Sequence, residues 1–148
     1  FGHQVVAEAL GGQVENMGEY EIGYREVTHS GDSRLFEGVD ETFTVFTTHQ
    51  DAVVELPPGA TLLAENDYGV QGFRKGSAWG VQFHPEYDLD YAEGLAERKR
   101  DHEMLTDAEI DDVVAGITPE NYAAACEVKQ LFDNFTRYVR ATADRAAD

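Results

Sequence analysis

Apolar and polar positions change rhythm twice along the chain. Val5-Val6-Ala7-Glu8-Ala9-Leu10 places Val6, Ala9 and Leu10 on one helical face, and Gly11-Gly12 halts the helix. The chain thus opens inside a helix or at its first turn, and sequence upstream of Phe1 is expected to be missing. From Gly12 to Arg74 strand and turn signals take over. Tyr20 to Val27 partly alternates, with Tyr20, Ile22 and Tyr24 on one side. His29-Ser30-Gly31-Asp32-Ser33 reads as a turn, and β-branched and aromatic Phe43 to Thr48 as a strand. Pro57-Pro58-Gly59 and Asn66-Asp67-Tyr68-Gly69 are turns flanking a short strand, Thr61 to Glu65. Val70 to Arg74 and Ala78 to Phe83 predict a hairpin around Lys75-Gly76-Ser77. After Glu86 the rhythm becomes helical. Asp88 to His102 is charged and amphipathic, and Thr106-Asp107-Ala108-Glu109 has the form of a capping box for a helix to about Ala115. Thr118-Pro119 starts a long helix to about Ala143. Its predicted stripe is Tyr122, Ala125, Val128, Phe132, Phe135 and Val139, and the tail from Ala141 is expected to fray.

Composition narrows the function classes. The 148 residues suffice for one domain with a core, and 42% apolar residues argue against disorder. Twenty-nine acidic residues face eleven basic ones, a net charge of −18. A field of that sign repels phosphate backbones and anionic lipid, so neither nucleic acid nor membrane is an expected partner. No apolar run approaches the roughly 20 residues of a membrane span and no secretory leader is visible, so a cytoplasmic location is expected. The acids are dispersed and lysines are scarce, which fits a halophilic protein, with an ordinary acidic protein as the alternative. Cys126, the single cysteine, excludes an internal disulfide framework, and beside the last helix's stripe it reads as a buried, inert thiol.

Three polar clusters could carry chemistry. His84-Pro85-Glu86 follows the predicted strand from Trp79 to Phe83. In an extended segment His84 and Glu86 share a side, and a carboxylate on one imidazole nitrogen leaves the other free as a base. A surface turn with a casual ion pair is the plainer alternative. Phe1-Gly2-His3-Gln4 offers the free N–H groups of a helix start, suited to a developing oxyanion, and Gln4 could hydrogen-bond an amide. Thr47-Thr48-His49-Gln50-Asp51 closes a strand and could bind a polar ligand or be only a turn, with Asp51 capping the next segment. The five histidines lack metal-ligand spacing, and no phosphate-binding glycine loop is present, so neither a metal nor a nucleotide is expected.

Together these motifs resemble a class I glutamine amidotransferase domain. That family has a Gly-x-Cys-x-Gly-x-Gln nucleophile elbow and a late His-x-Glu completing a Cys-His-Glu triad. Phe1-Gly2-His3-Gln4 matches the second half of the elbow, and Gly80-Val81-Gln82-Phe83-His84-Pro85-Glu86 matches the late motif. Thr48 to Ala60 resembles the Ser-His-x-Asp-x-Val-x-x-Leu-Pro stretch in the glutaminase part of GMP synthases. The resemblance covers Phe1 to Glu86 and the Phe132-Asp133-Asn134-Phe135 region.

The resemblance implies an α/β, flavodoxin-like fold seen from its second half, with a mixed sheet, a β-hairpin region and C-terminal helices. Residues 1–148 would be the C-terminal part of a single amidotransferase domain, with a helical insertion at about 88–116. The resemblance assigns His84 and Glu86 as catalytic base and orienting carboxylate, Phe1 and Gly2 to the oxyanion hole, and Gln4, Thr48 and His49 to substrate binding. The nucleophilic cysteine would precede Phe1. Glutamine and an ammonia-accepting synthase are the implied partners, with no cofactor. The insertion, charged throughout, is expected to be a partner surface. A γ-glutamyl hydrolase and a non-catalytic binding or regulatory relative stay open as alternatives.

Overall fold

The computed structural model describes residues 1–30 and 33–146, so Gly31 and Asp32 of the predicted 29–33 turn lie outside the described residues. Helix α1 spans Gly2–Ala9 and is followed by strands β1 (Gln13–His29), β2 (Thr42–Glu55), β3 (Thr61–Asn66), β4 (Gly69–Lys75) and β5 (Ala78–Val81). Helices α2 (Leu89–Glu97), α3 (Asp107–Ala115), α4 (Pro119–Cys126) and α5 (Gln130–Ala146) complete the chain, with 3-10 turns at Arg34–Phe36 and Glu127–Lys129. The strands form one sheet in the order β2-β1-β3-β4-β5. Every ladder is antiparallel, where a mixed sheet was expected. The reason is connectivity: short turns join β3 to β4 and β4 to β5, and hairpins require antiparallel neighbours.

The glycine pair ends α1 as its sequence dictates. Gly11 takes φ +92°, and Gly12 donates to the carbonyl of Ala7 at 2.9 Å. A Cβ on Gly12 would lie 2.7 Å from the Glu55 carbonyl oxygen, so this position also lets the helix end meet β2. The buried face of α1 is His3 and Ala7, with Ala9 exposed. The predicted Val6-Ala9-Leu10 face is thus corrected in part: Val6 packs against the cluster under α1, but His3 and Ala7 hold the buried positions and Ala9 is exposed.

Three apolar clusters lock the layers. Ala7, Val53 and Phe73 pack beneath α1. Val27, Phe36, Val45, Leu63, Phe83, Val128 and Leu131 join the sheet to the last helices. Ile22, Phe46 and Ala92 join β1 and β2 to α2, with Leu105 and Val113 alongside. Phe36, Phe46 and Phe73 are fully buried, each worth about 2–3 kcal/mol by area removed from water.

Two helical expectations change. The capping box at Thr106 and Glu109 forms in both directions. The long C-terminal helix, however, is interrupted by the 3-10 turn Glu127–Lys129. A tighter turn advances the phase, so the inward stripe runs through Ala125, Val128, Leu131 and Asn134. Phe132, Phe135 and Val139 face outward instead. Asn134 donates from its amide to the carbonyls of Leu35 and Glu37, both at 2.8 Å. Helix α5 continues to Ala146, through the tail expected to fray. Cys126 is half-buried rather than buried. None of the helices in the described residues is long and apolar enough to cross a membrane.

Candidate functional site

Strand β5 ends at Val81, and Gln82 and Phe83 follow as buried bend residues. The amide of His84 donates to the Phe46 carbonyl at 2.9 Å, fixing the segment against β2. Beyond it the chain turns where an extended segment is expected: the Tyr87 N–H reaches back to the His84 carbonyl at 3.4 Å, with Pro85 between. The turn still brings the two side chains together. His84 Nδ1 lies 2.9 Å from Glu86 Oε1. A carboxylate accepts, so Nδ1 carries a proton and donates, and Nε2 takes no part in this bond. Partial burial pulls the Glu86 carboxyl upward, yet the hydrogen bond and charge of His84 hold it below the usual range. The His84 ring stacks on Tyr87 with centroids 4.4 Å apart, 7° from parallel. Burial, then the neighbouring Tyr91 and Glu86, push the Tyr87 phenol up to about 12, so it stays neutral.

The start of α1 supplies a second group. Phe1 is the N-cap with no side-chain cap, 88% exposed, and the first-turn N–H groups carry the positive end of the helix dipole. Gln4 Nε2 donates to the Asp51 carbonyl at 2.8 Å and approaches Gln82 Oε1 at 3.4 Å. This amide therefore ties α1 to β2 and to the residue two before His84. His3 packs its ring on Phe73 and beneath Gly80, where a Cβ would come within 3.0 Å of its Nδ1. Burial lowers the His3 pKa to about 4, keeping it neutral.

The polar segment from Thr47 to Asp51 is neither a strand end nor a turn; β2 runs through it to Glu55. It stays extended because β1 begins well before its expected start at Tyr20 and pairs with it, with Glu21 opposite His49 and Asn16 opposite Asp51. Thr48 Oγ1 meets the Tyr20 hydroxyl at 3.3 Å. His49 is buried, and both its ring nitrogens are engaged: Nδ1 with the Asp51 carbonyl at 2.9 Å, and Nε2 with Glu21 Oε2. Glu21 is fully buried, and its carboxylate also accepts from Asn66 Nδ2 at 2.6 Å and Gln71 Nε2 at 3.0 Å. Sequence reasoning missed this network. The one signal was alternation: if Tyr20, Ile22 and Tyr24 share a face, Glu21 must point into the other.

Phe1, Gln4, Thr48 and His49 line one open cleft of about 210 Å³, together with Tyr20, Gln50, Asp51, Lys99 and His102. His84 and Glu86 do not line it; the Gln4–Gln82 contact is the link between the two. A cavity of about 430 Å³ lies elsewhere, among Arg34, Arg74, Trp79 and Tyr138, and holds none of the residues singled out in the sequence. Among the described residues no group of His, Cys, Asp and Glu could hold a metal ion.

The chain is similar to known proteins. The glutamine amidotransferase class-I family matches residues 1–97 of the 148. A GMP synthase [glutamine-hydrolyzing] of Vibrio vulnificus is 42% identical over 89 residues, which cover 58% of this chain and 17% of that protein. That of Aliivibrio fischeri is 40% identical over the same length. The crystal structure of a glutamine amidotransferase from Thermotoga maritima superposes with a TM-score of 0.74 at 25% identity, covering 90% of this chain and 58% of that one. A glutamine amidotransferase from Methylobacillus flagellatus shares the fold, with a TM-score of 0.62 at 19% identity. The chain thus spans about a sixth of the curated synthases it matches and somewhat over half of the solved structures. A match over 97 of 148 residues, with an α/β architecture common to both solved structures, establishes that the chain belongs to the class I glutamine amidotransferase family.

Proposed function

We propose that the protein hydrolyses the side-chain amide of glutamine and delivers the ammonia to a synthase partner. The observation that carries the reading is the His84–Glu86 pair, 2.9 Å apart, in a chain of this family. The nucleophile is a cysteine immediately before Phe1. At the mouth of α1 and paired with His84, it is held as a thiolate. The thiolate attacks the amide carbon, and the oxyanion is met by the Phe1 backbone N–H, with Gly2 permitting the tight elbow. Protonated at Nε2, His84 gives its proton to the departing ammonia, leaving a glutamyl thioester. It then takes a proton from water, whose oxygen attacks the thioester; glutamate leaves and the thiolate returns. Glu86 keeps the ring in the productive tautomer and stabilises its charged form. Gln4, Thr48 and His49 shape the glutamine cleft.

The test is ammonia release from glutamine by the full-length protein, against a His84→Ala variant and a folyl-polyglutamate substrate. Loss of at least about 10²-fold in kcat on removing the base is expected. Unchanged turnover in the variant, or a residue other than cysteine before Phe1, defeats the catalytic assignment. Preference for folyl-polyglutamate makes the protein a γ-glutamyl hydrolase instead.

A further inference from the structure

Residues beyond the family match reach the candidate cleft. The match ends at residue 97, and Lys99 and His102 follow. Helix α2 stops at Glu97, and a run of short turns carries the chain on: Lys99 N–H to the Ala96 carbonyl at 2.9 Å, then His102 N–H to the Lys99 carbonyl at 2.9 Å. The segment is anchored from below by Ala92, Leu95 and Leu105 against Ile22 and Phe46. Both side chains meet Tyr20. Lys99 Nζ stands 5.1 Å above the ring, and His102 packs against it edge-on at 4.9 Å. Tyr20 in turn touches Thr48.

Lys99 differs from the other two lysines. Lys75 donates to the Leu10 carbonyl at 2.9 Å and Lys129 to the Tyr122 hydroxyl at 3.2 Å. Among the described residues no carboxylate lies within ion-pair distance of Lys99 and no acceptor holds its ammonium. In a chain of net charge −18 a half-buried lysine without an acid partner is conspicuous. Among the described residues it is the one lysine or arginine lining the cleft; the one carboxylate there, Asp51, is already bonded to Asn16 Nδ2 at 3.0 Å.

Glutamine carries a carboxylate at the end remote from the scissile amide. We propose that Lys99 receives that α-carboxylate, making it a specificity-determining residue supplied by the helical segment; this rests on the glutaminase reading. The segment then serves the substrate cleft, beyond the partner surface its charge suggests. The test compares glutamine with its α-carboxamide in the full-length protein and in Lys99→Met and Lys99→Arg variants. Methionine keeps the stem over Tyr20 and removes the charge. Because a charge-assisted hydrogen bond at a partly exposed site is at stake, Lys99→Met should raise KM for glutamine about tenfold, with kcat within about twofold. The α-carboxamide should show little change, and arginine should restore most of the loss. An unchanged KM for glutamine in an active variant overturns the role of Lys99 alone. An equal loss on both substrates assigns Lys99 a structural role and overturns it too. A wild-type protein that releases no ammonia from glutamine defeats the glutaminase reading, and this proposal with it.

Discussion

Two histidine–carboxylate pairs sit on this sheet, and they differ in every respect except chemistry. His84 and Glu86 are two residues apart in a turn and partly open to solvent, with side-chain exposures of 24% and 53%. His49 and Glu21 face each other across two strands, 28 residues apart and buried. In the buried pair nothing is left over. The Asp51 carbonyl can only accept, so His49 Nδ1 must donate, and Nε2 is engaged by Glu21. Asn66 and Gln71 also donate to the carboxylate, one to each oxygen. Such a network fixes β1 against β2 and engages both nitrogens of the ring. The open pair keeps Nε2 unused. The contrast teaches that proximity of an imidazole and a carboxylate does not mark a reactive site; the unspent nitrogen does.

The comparison can be broken at four points, in order of expected effect. Removing the open pair's ring, His84→Ala, should lower glutamine turnover by about 10²–10⁴-fold while leaving the unfolding free energy within about 0.5 kcal/mol. Removing the buried carboxylate, Glu21→Ala, should do the reverse. It strands His49, Asn66 and Gln71, and should cost about 3–5 kcal/mol in urea unfolding. A Glu21 variant of native stability would end its structural assignment. A third histidine separates burial from pairing. His3 has its pKa lowered from 6.5 to about 4 by burial, with the His49 charge acting the same way. The unfolded chain therefore binds a proton that the folded one refuses. Stability should fall as pH drops from about 6.5 to about 4 and level off below, by roughly 3 kcal/mol from this residue. A His3→Leu variant measured over the same range should lack that slope. The smallest effect is expected from Glu86→Gln. It should lower kcat about tenfold, flatten its pH dependence and leave stability unchanged, since the group is half exposed.

What could be read from the sequence was local. Gly11-Gly12, the Thr106–Glu109 capping box, the hairpin around Gly76-Ser77 and the meeting of His84 with Glu86 are each written within a few residues, and the structure forms all of them. What escaped depends on partners distant in sequence. β2 runs on to Glu55 because β1 pairs with it there, and Glu21 is buried because Asn66 and Gln71 come from other strands. Lys99 escaped for the same reason: its place over Tyr20 is set by packing of α2 on β1, which charge patterning does not encode.

The 3-10 turn between Cys126 and Gln130 has a consequence for how this chain can vary. Adding or deleting one residue there would swing everything after it by roughly 100° about the axis of α5. Asn134 would lose its grip on the 35–37 loop in either case, and a deletion would drive two phenylalanine rings now at the surface towards the interior. The spacing of that short stretch is accordingly under tighter restraint than the identity of its side chains.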